Sequence, residues 1–209
     1  MRGYGYLAAL TLAVSLLEFG IAVLYAKSSS LKTDAMHAGI HSSWYGLAIM
    51  VSWLVNRFAF AERNEMRLRA VFGLTNFLML VLSIGIIIWF DALPKWRMSQ
   101  PVNSYLMFAG GLIGLCGNWL QLGLLKKIKI IILQQKGKLH DTFEWSKVDV
   151  LTDLWLSVAV TSAAAYLIGA KVFGLRPWFR LDSLLTFIAV FWVGYTAFDL
   201  FIKRTAKNL

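Results

Sequence analysis

The chain has little of what soluble enzymes and secreted scaffolds rely on. One cysteine, Cys116, in 209 residues excludes an internal disulfide. Three prolines and nine tryptophans exclude collagen-like and proline-rich disordered chains. Charge is scarce, at 15% of residues, where soluble domains carry about 25%. No nucleophile stands with a plausible base, and no phosphate loop or cofactor fingerprint is present. Enzymatic function and a prosthetic group are therefore not expected.

What is there is apolar. Hydrophobic residues make up 58% of the chain and the mean hydropathy is +0.63. The net charge is +10, but the basic residues lie between apolar runs, where membrane proteins place them. That placement argues against nucleic acid as a partner and for a lipid membrane. Cys116 falls within an apolar run and reads as a small core residue.

Six runs are long enough to span as helices at about 20 residues per crossing. They are Tyr4–Tyr25, Asp34–Asn56, Ala70–Phe90, Tyr105–Leu125, Val148–Ala170 and Ser183–Ile202. The expectation is an all-α membrane protein with six transmembrane helices in a single domain over residues 1–209. The first run is too long for a cleavable signal and reads as a retained span. Placing both termini on one side puts 14 Lys and Arg there and 7 on the other. By the positive-inside rule both termini are cytoplasmic, in a plasma (inner) membrane. The Lys126–Lys147 segment either extends the fourth helix or lies along the anionic inner leaflet.

Ionisable groups within these runs stand out, because each costs about 3 kcal/mol at a bilayer centre. His37 and His41 are four apart, and so are Asp149 and Asp153. On a helix each pair stacks on one face, one turn apart. Facing pairs would offer two imidazole nitrogens and two carboxylates, a set suited to a tetrahedral divalent metal, best Zn²⁺. The two carboxylates would neutralise the dication. An isolated intramembrane His more often packs helices through hydrogen bonds, and Asp149 or Asp199 near a span's end often sits at the interface. It is the matched pairs that favour a metal or proton site. Glu18 reads as a packing or proton-relay group, Asp34 as a residue orienting or charge-stabilising His37, and Asn118 as a neighbour of the site.

These residues fall into an ordered series. Ser30-Leu31-Lys32-Thr33-Asp34-Ala35-Met36-His37-Ala38-Gly39-Ile40-His41-Ser42 resembles the second-helix signature of cation diffusion facilitators. Val148 to Ser157 resembles the fifth-helix [H/D]-x-x-x-D motif with its trailing Ser. Arg63-Asn64-Glu65, Gly117-Asn118 and Leu181-Asp182-Ser183-Leu184-Leu185 are similar to the family's marks before helix three, in helix four and at the start of helix six. The resemblance implies a cation-efflux-like six-helix bundle that exports divalent metal in exchange for protons. His41 stands where most members have Asp. The Arg57–Arg69 loop has no His or Asp for the family's accessory metal site, and no cytoplasmic domain follows helix six. The implied protein is a minimal transporter, with a homodimer left open.

Within that family, sites containing His lean towards zinc and all-carboxylate sites towards manganese or iron. Zn²⁺ is therefore the expected substrate, with Co²⁺ and Cd²⁺ tolerated and Mn²⁺ poor. Two other readings stand beside it: a membrane scaffold or regulator that keeps the fold without turnover, and a proton or small-ion channel.

Overall fold

The structure, a computed structural model, describes residues 2–58, 64–134 and 140–207. Among these residues it is all helix, with no strand. Helix α1 (Arg2–Gly20) continues through a π-helical turn, Ile21–Ala26. Helix α2 covers Ser29–Arg57. Helix α3 (Glu65–Ile87) runs on through a second π-helical turn, Ile88–Ala92, into Leu93–Met98. Helices α4 (Ser104–Gln134), α5 (His140–Val172) and α6 (Arg180–Lys207) complete the series.

Among the described residues, four segments are long and apolar enough to cross a membrane: Gly5–Ala26, Phe77–Met98, Ser104–Lys127 and Val150–Val172. Helices α2 and α6 are long enough, at 29 and 28 residues, but more polar. The first carries Lys32, Asp34, His37 and His41, and the second Asp182, Asp199, Lys203 and Arg204.

Several boundaries depart from the hydropathy pattern. Helix α2 begins at Ser29 because Ser28 caps it, its hydroxyl accepting the Leu31 N–H at 3.1 Å. Helix α3 already includes Glu65 to Arg69, assigned above to a loop, and its helical run continues past Phe90 to Met98. Pro94 stands in the first turn of that last segment, directly after the π-helical turn. Helix α4 continues through the first basic residues as far as Gln134, and α5 starts at His140. Polar residues at these ends broke the apolar runs without breaking the helices.

Apolar side chains cover the outside. Trp119 is 71% exposed, Trp155 68% and Phe191 77%. An outer surface of this kind suits lipid. Cys116 is exposed too, which corrects its reading as a core residue. In a bundle that meets lipid, an apolar run signals the outer face as readily as the interior.

Helix α4 packs most extensively on α5, and α1 on α2 and α4, while α3 and α6 lie against α2. Small residues permit the close approach. A Cβ on Gly117 would lie 2.5 Å from Val14 Cγ2, and one on Gly111 would strike Thr161. Ala22, Leu31, Met107 and Leu167 belong to one apolar cluster, and Leu7, Tyr45, Leu125 and Val150 to another. A third, with Ile40, Leu80, Leu156 and Val193, joins α2, α3, α5 and α6.

One pole of the bundle gathers the C-terminal ends of α1, α3 and α5 and the N-terminal ends of α2, α4 and α6. The chain reverses at Lys27, in the left-handed region at φ 53°. Lys95 Nζ donates to the Lys27 carbonyl at 2.6 Å, and Asn103 N–H donates to the Ala26 carbonyl at 2.9 Å. Asp91 accepts from Lys32 and Lys95, each at 3.0 Å. Asp182, at the start of α6, holds the start of α2. Its Oδ1 accepts from Ser28 Oγ at 2.6 Å and from Ser30 N–H at 3.1 Å and Oγ at 2.5 Å, and its Oδ2 from Ser29 N–H at 2.7 Å. A carboxylate here meets the unpaired N–H groups and positive dipole end of α2.

Asp182→Ala leaves these buried donors unpaired and should destabilise the protein by about 3 kcal/mol or more. Asp182→Asn, which keeps one acceptor, should lose less. Denaturant unfolding in detergent micelles reads both, and an Asp182→Ala stability equal to wild type would refute the assignment.

Candidate metal centre

His37 lies eight residues into α2, about 12 Å along its axis from Ser29. It is 5% exposed, and Asp153, on α5, is 1% exposed. His37 Nδ1 and Asp153 Oδ1 are 2.6 Å apart. One turn along α2, His41 Nε2 is 2.9 Å from His37 Nε2, the rings meeting edge to face at 87° with centroids 4.2 Å apart. The stacking follows from the four-residue spacing, and α5 supplies the carboxylate from across the interface.

The chain of contacts allows two arrangements of protons. With His41 Nε2–H donating to His37 Nε2, and His37 Nδ1–H donating to Asp153, both imidazoles are neutral. With both nitrogens of His37 protonated, it is an imidazolium paired to the Asp153 carboxylate. In each case a proton occupies both short contacts. One potential ligand atom from each of His37, His41 and Asp153 lies within 4.8 Å of the others. That is wider than the roughly 3.3–3.5 Å between donors on a tetrahedral Zn²⁺ with bonds of about 2.0–2.1 Å. Closing on a metal therefore needs a shift of about an ångström and loss of the bridging protons. Asp153 Oδ2 is buried without a hydrogen-bond partner, a condition a bound cation would relieve.

Asp149 belongs to α5, one turn before Asp153, but its side chain lies outside the described residues, as does that of Asp199. The third histidine, His140, starts α5, and its side chain is likewise outside them. Asp34 is 2% exposed and accepts from Ser157 Oγ at 2.7 Å; its partner is this hydroxyl, with His37 held by Asp153 instead. Asn118 Nδ2 donates to the same Ser157 Oγ at 3.1 Å, and Gln121 Nε2 donates to Asn118 Oδ1 at 3.1 Å. Glu18 is 1% exposed, and its Oε1 is buried without a hydrogen-bond partner.

Sequence reasoning missed Gln121, and noted Ser157 only as a motif residue. The signal for Gln121 was its place three residues after Asn118, on the same face of α4. Beside His37, an apolar cleft between α2, α3 and α6 is bounded by Met36, Ile40, Leu80, Ile84 and Val193.

Comparison with known proteins adds no name: no family model matches the chain, and no curated protein matches it significantly.

Proposed function

We propose that the chain is a six-span divalent metal transporter of the cation diffusion facilitator type, exchanging Zn²⁺ for protons. Its site comprises His37, His41 and Asp153, with Asp149 as the fourth ligand. The observation that carries the reading is the His37–His41–Asp153 cluster, with His37 and Asp153 buried, His41 half-buried and one carboxylate oxygen unpartnered, inside a bundle whose outer surface is apolar. The ordered likeness of five motifs supports it as well.

His37 Nε2, His41 Nε2 and Asp153 Oδ2 are the donors that can turn to a metal. The contact between His37 Nδ1–H and Asp153 Oδ1 orients the imidazole before metal arrives and would be given up as Asp153 turns to the metal. Metal must displace the proton between the two histidines, so binding and proton release are linked.

Transport by alternating access would expose this site to each side in turn. The pole latched by Asp182, Lys95 and Asp91 is the closed side in this reading, and its smaller share of basic residues, 7 against 14, supports an extracytoplasmic position. Both termini are then cytoplasmic.

Proteoliposomes loaded with a zinc-sensitive dye test the reading. Wild type should take up Zn²⁺, several-fold faster when the pH gradient opposes the metal's direction of travel. No flux of any divalent metal would favour a scaffold with the same fold. Conductance without metal would favour a channel.

A further inference from the structure

We propose that Glu18, Asp34, Ser157 and Asn118 form a proton-binding site, separate from the metal ligands, that carries a counter-ion of the exchange. This rests on the transport reading above and adds a second cation site to it.

The argument begins with an unmet need. The single hydroxyl proton of Ser157 is given to Asp34 at 2.7 Å, and the Ser157 oxygen receives Asn118 Nδ2 at 3.1 Å. No hydrogen bond from this network reaches Glu18 Oε1, which is buried without a hydrogen-bond partner. It faces the backbone of Gly114. A Cβ there would overlap Glu18 Oε1 and lie 2.6 Å from Ser157 Oγ, so the glutamate and the serine meet across the space the glycine leaves.

The charges around Glu18 make the need sharper. Ser157, which donates to Asp34 of α2, faces Glu18 across the same glycine, so the two carboxyl groups flank one hydroxyl. From α4 the network presents only uncharged Asn118 and Gln121. No described lysine or arginine pairs with Glu18 or Asp34, and Asp153 already has His37. Two acidic side chains that share one low-dielectric site hold a proton between them, because like charges there cannot both stay ionised.

The donors are all oxygen or amide, which excludes a soft metal. A hard metal takes several ligands at about 2.0–2.6 Å, and among the described residues Glu18 and Asp34 belong to no group of three carboxylate or imidazole ligands. A proton needs no cavity.

The site is tied to the metal centre by the same two helices. Asp34 lies three residues before His37 on α2, and Ser157 four residues after Asp153 on α5. Moving α2 against α5 to open the metal site also breaks the Ser157 to Asp34 hydrogen bond. One displacement therefore changes both occupancies.

The test uses the full chain and the Glu18→Gln variant. Infrared spectra of wild type at neutral pH should contain a protonated-carboxyl C=O band, shifted in D₂O and absent from Glu18→Gln. In proteoliposomes the ratio of Zn²⁺ flux with and without a pH gradient should fall from several-fold to near one. Ser157→Ala, a smaller change, should shift the pH at which that ratio is half-maximal.

A wild type without the band, or a Glu18→Gln variant that keeps both band and ratio, overturns the proposal. If Glu18→Gln does not fold, an unshifted Ser157→Ala profile overturns it. If wild type carries no metal, the transport reading fails, and the infrared band still decides whether Glu18 binds a proton.

Discussion

Asp153→Ala should lower Zn²⁺ transport by about 100-fold or more, with membrane insertion intact. Removing a residue that merely orients a metal-binding His typically costs 10–100-fold in affinity or activity, and Asp153 is placed to do more than orient. Its Oδ1 fixes His37 at 2.6 Å, while its Oδ2 is buried and unpartnered. Alanine removes both oxygens and leaves His37 Nδ1 facing a void. Asp153→Asn separates the two roles. It keeps an oxygen that can accept from His37 but removes the negative charge, so imidazole orientation survives and charge balance for a dication does not. Zinc titration calorimetry and vesicle flux should both fall in Asp153→Ala, and the calorimetric loss should be smaller in Asp153→Asn. Wild-type flux in Asp153→Ala would remove the residue from the site.

His41→Asp should change which metal is carried. The His41 Nε2 atom lies 2.9 Å from His37, at the heart of the cluster, so its replacement alters the donor set directly. Two imidazoles favour Zn²⁺, Co²⁺ and Cd²⁺, whereas carboxylate and water favour Mn²⁺ and Mg²⁺. The variant exchanges one nitrogen for an oxygen and adds a negative charge. The ratio of Zn²⁺ to Mn²⁺ flux should then drop by about tenfold, with most of the change in Mn²⁺. The activity profile should also move to lower pH. Metal competes with protons at its ligands, and carboxylate protonates some two units below imidazole. A wild-type protein carrying Mn²⁺ as fast as Zn²⁺ in the same vesicles would leave the aspartates as the dominant ligands.

The helices and the metal cluster were legible in the sequence to different depths, for physical reasons. The pairing of His37 with His41 is a local property, because four residues make about one helical turn. Asp153 was legible for the same reason, through its own spacing. That the two helices face each other depends on tertiary packing, and only the resemblance pointed there. The Asp182 clasp was not legible, since nothing local tells a carboxylate at residue 182 that its partners are serines at 28, 29 and 30. Ser157 had the same difficulty: a serine reads as a small polar spacer until its hydroxyl is found between Asp34 and Asn118. Cys116 was misread because lipid-facing and core-facing positions use one apolar alphabet. The ends of α2 and α3 were misread because capping and ion pairing keep polar turns helical.

The Asp182 clasp also sets a clock on assembly. Ser30 and Asp182 are 152 residues apart in the chain. At a synthesis rate of about 5–20 residues per second, roughly 8–30 s separate the appearance of the serines from that of the carboxylate that holds them. During that interval the exposed N–H and hydroxyl groups at the start of α2 need water, so this turn must wait at the membrane surface. The first helical hairpin therefore stays unfinished until the last helix arrives. Helix α6, made well after α2, decides when the start of α2 comes to rest.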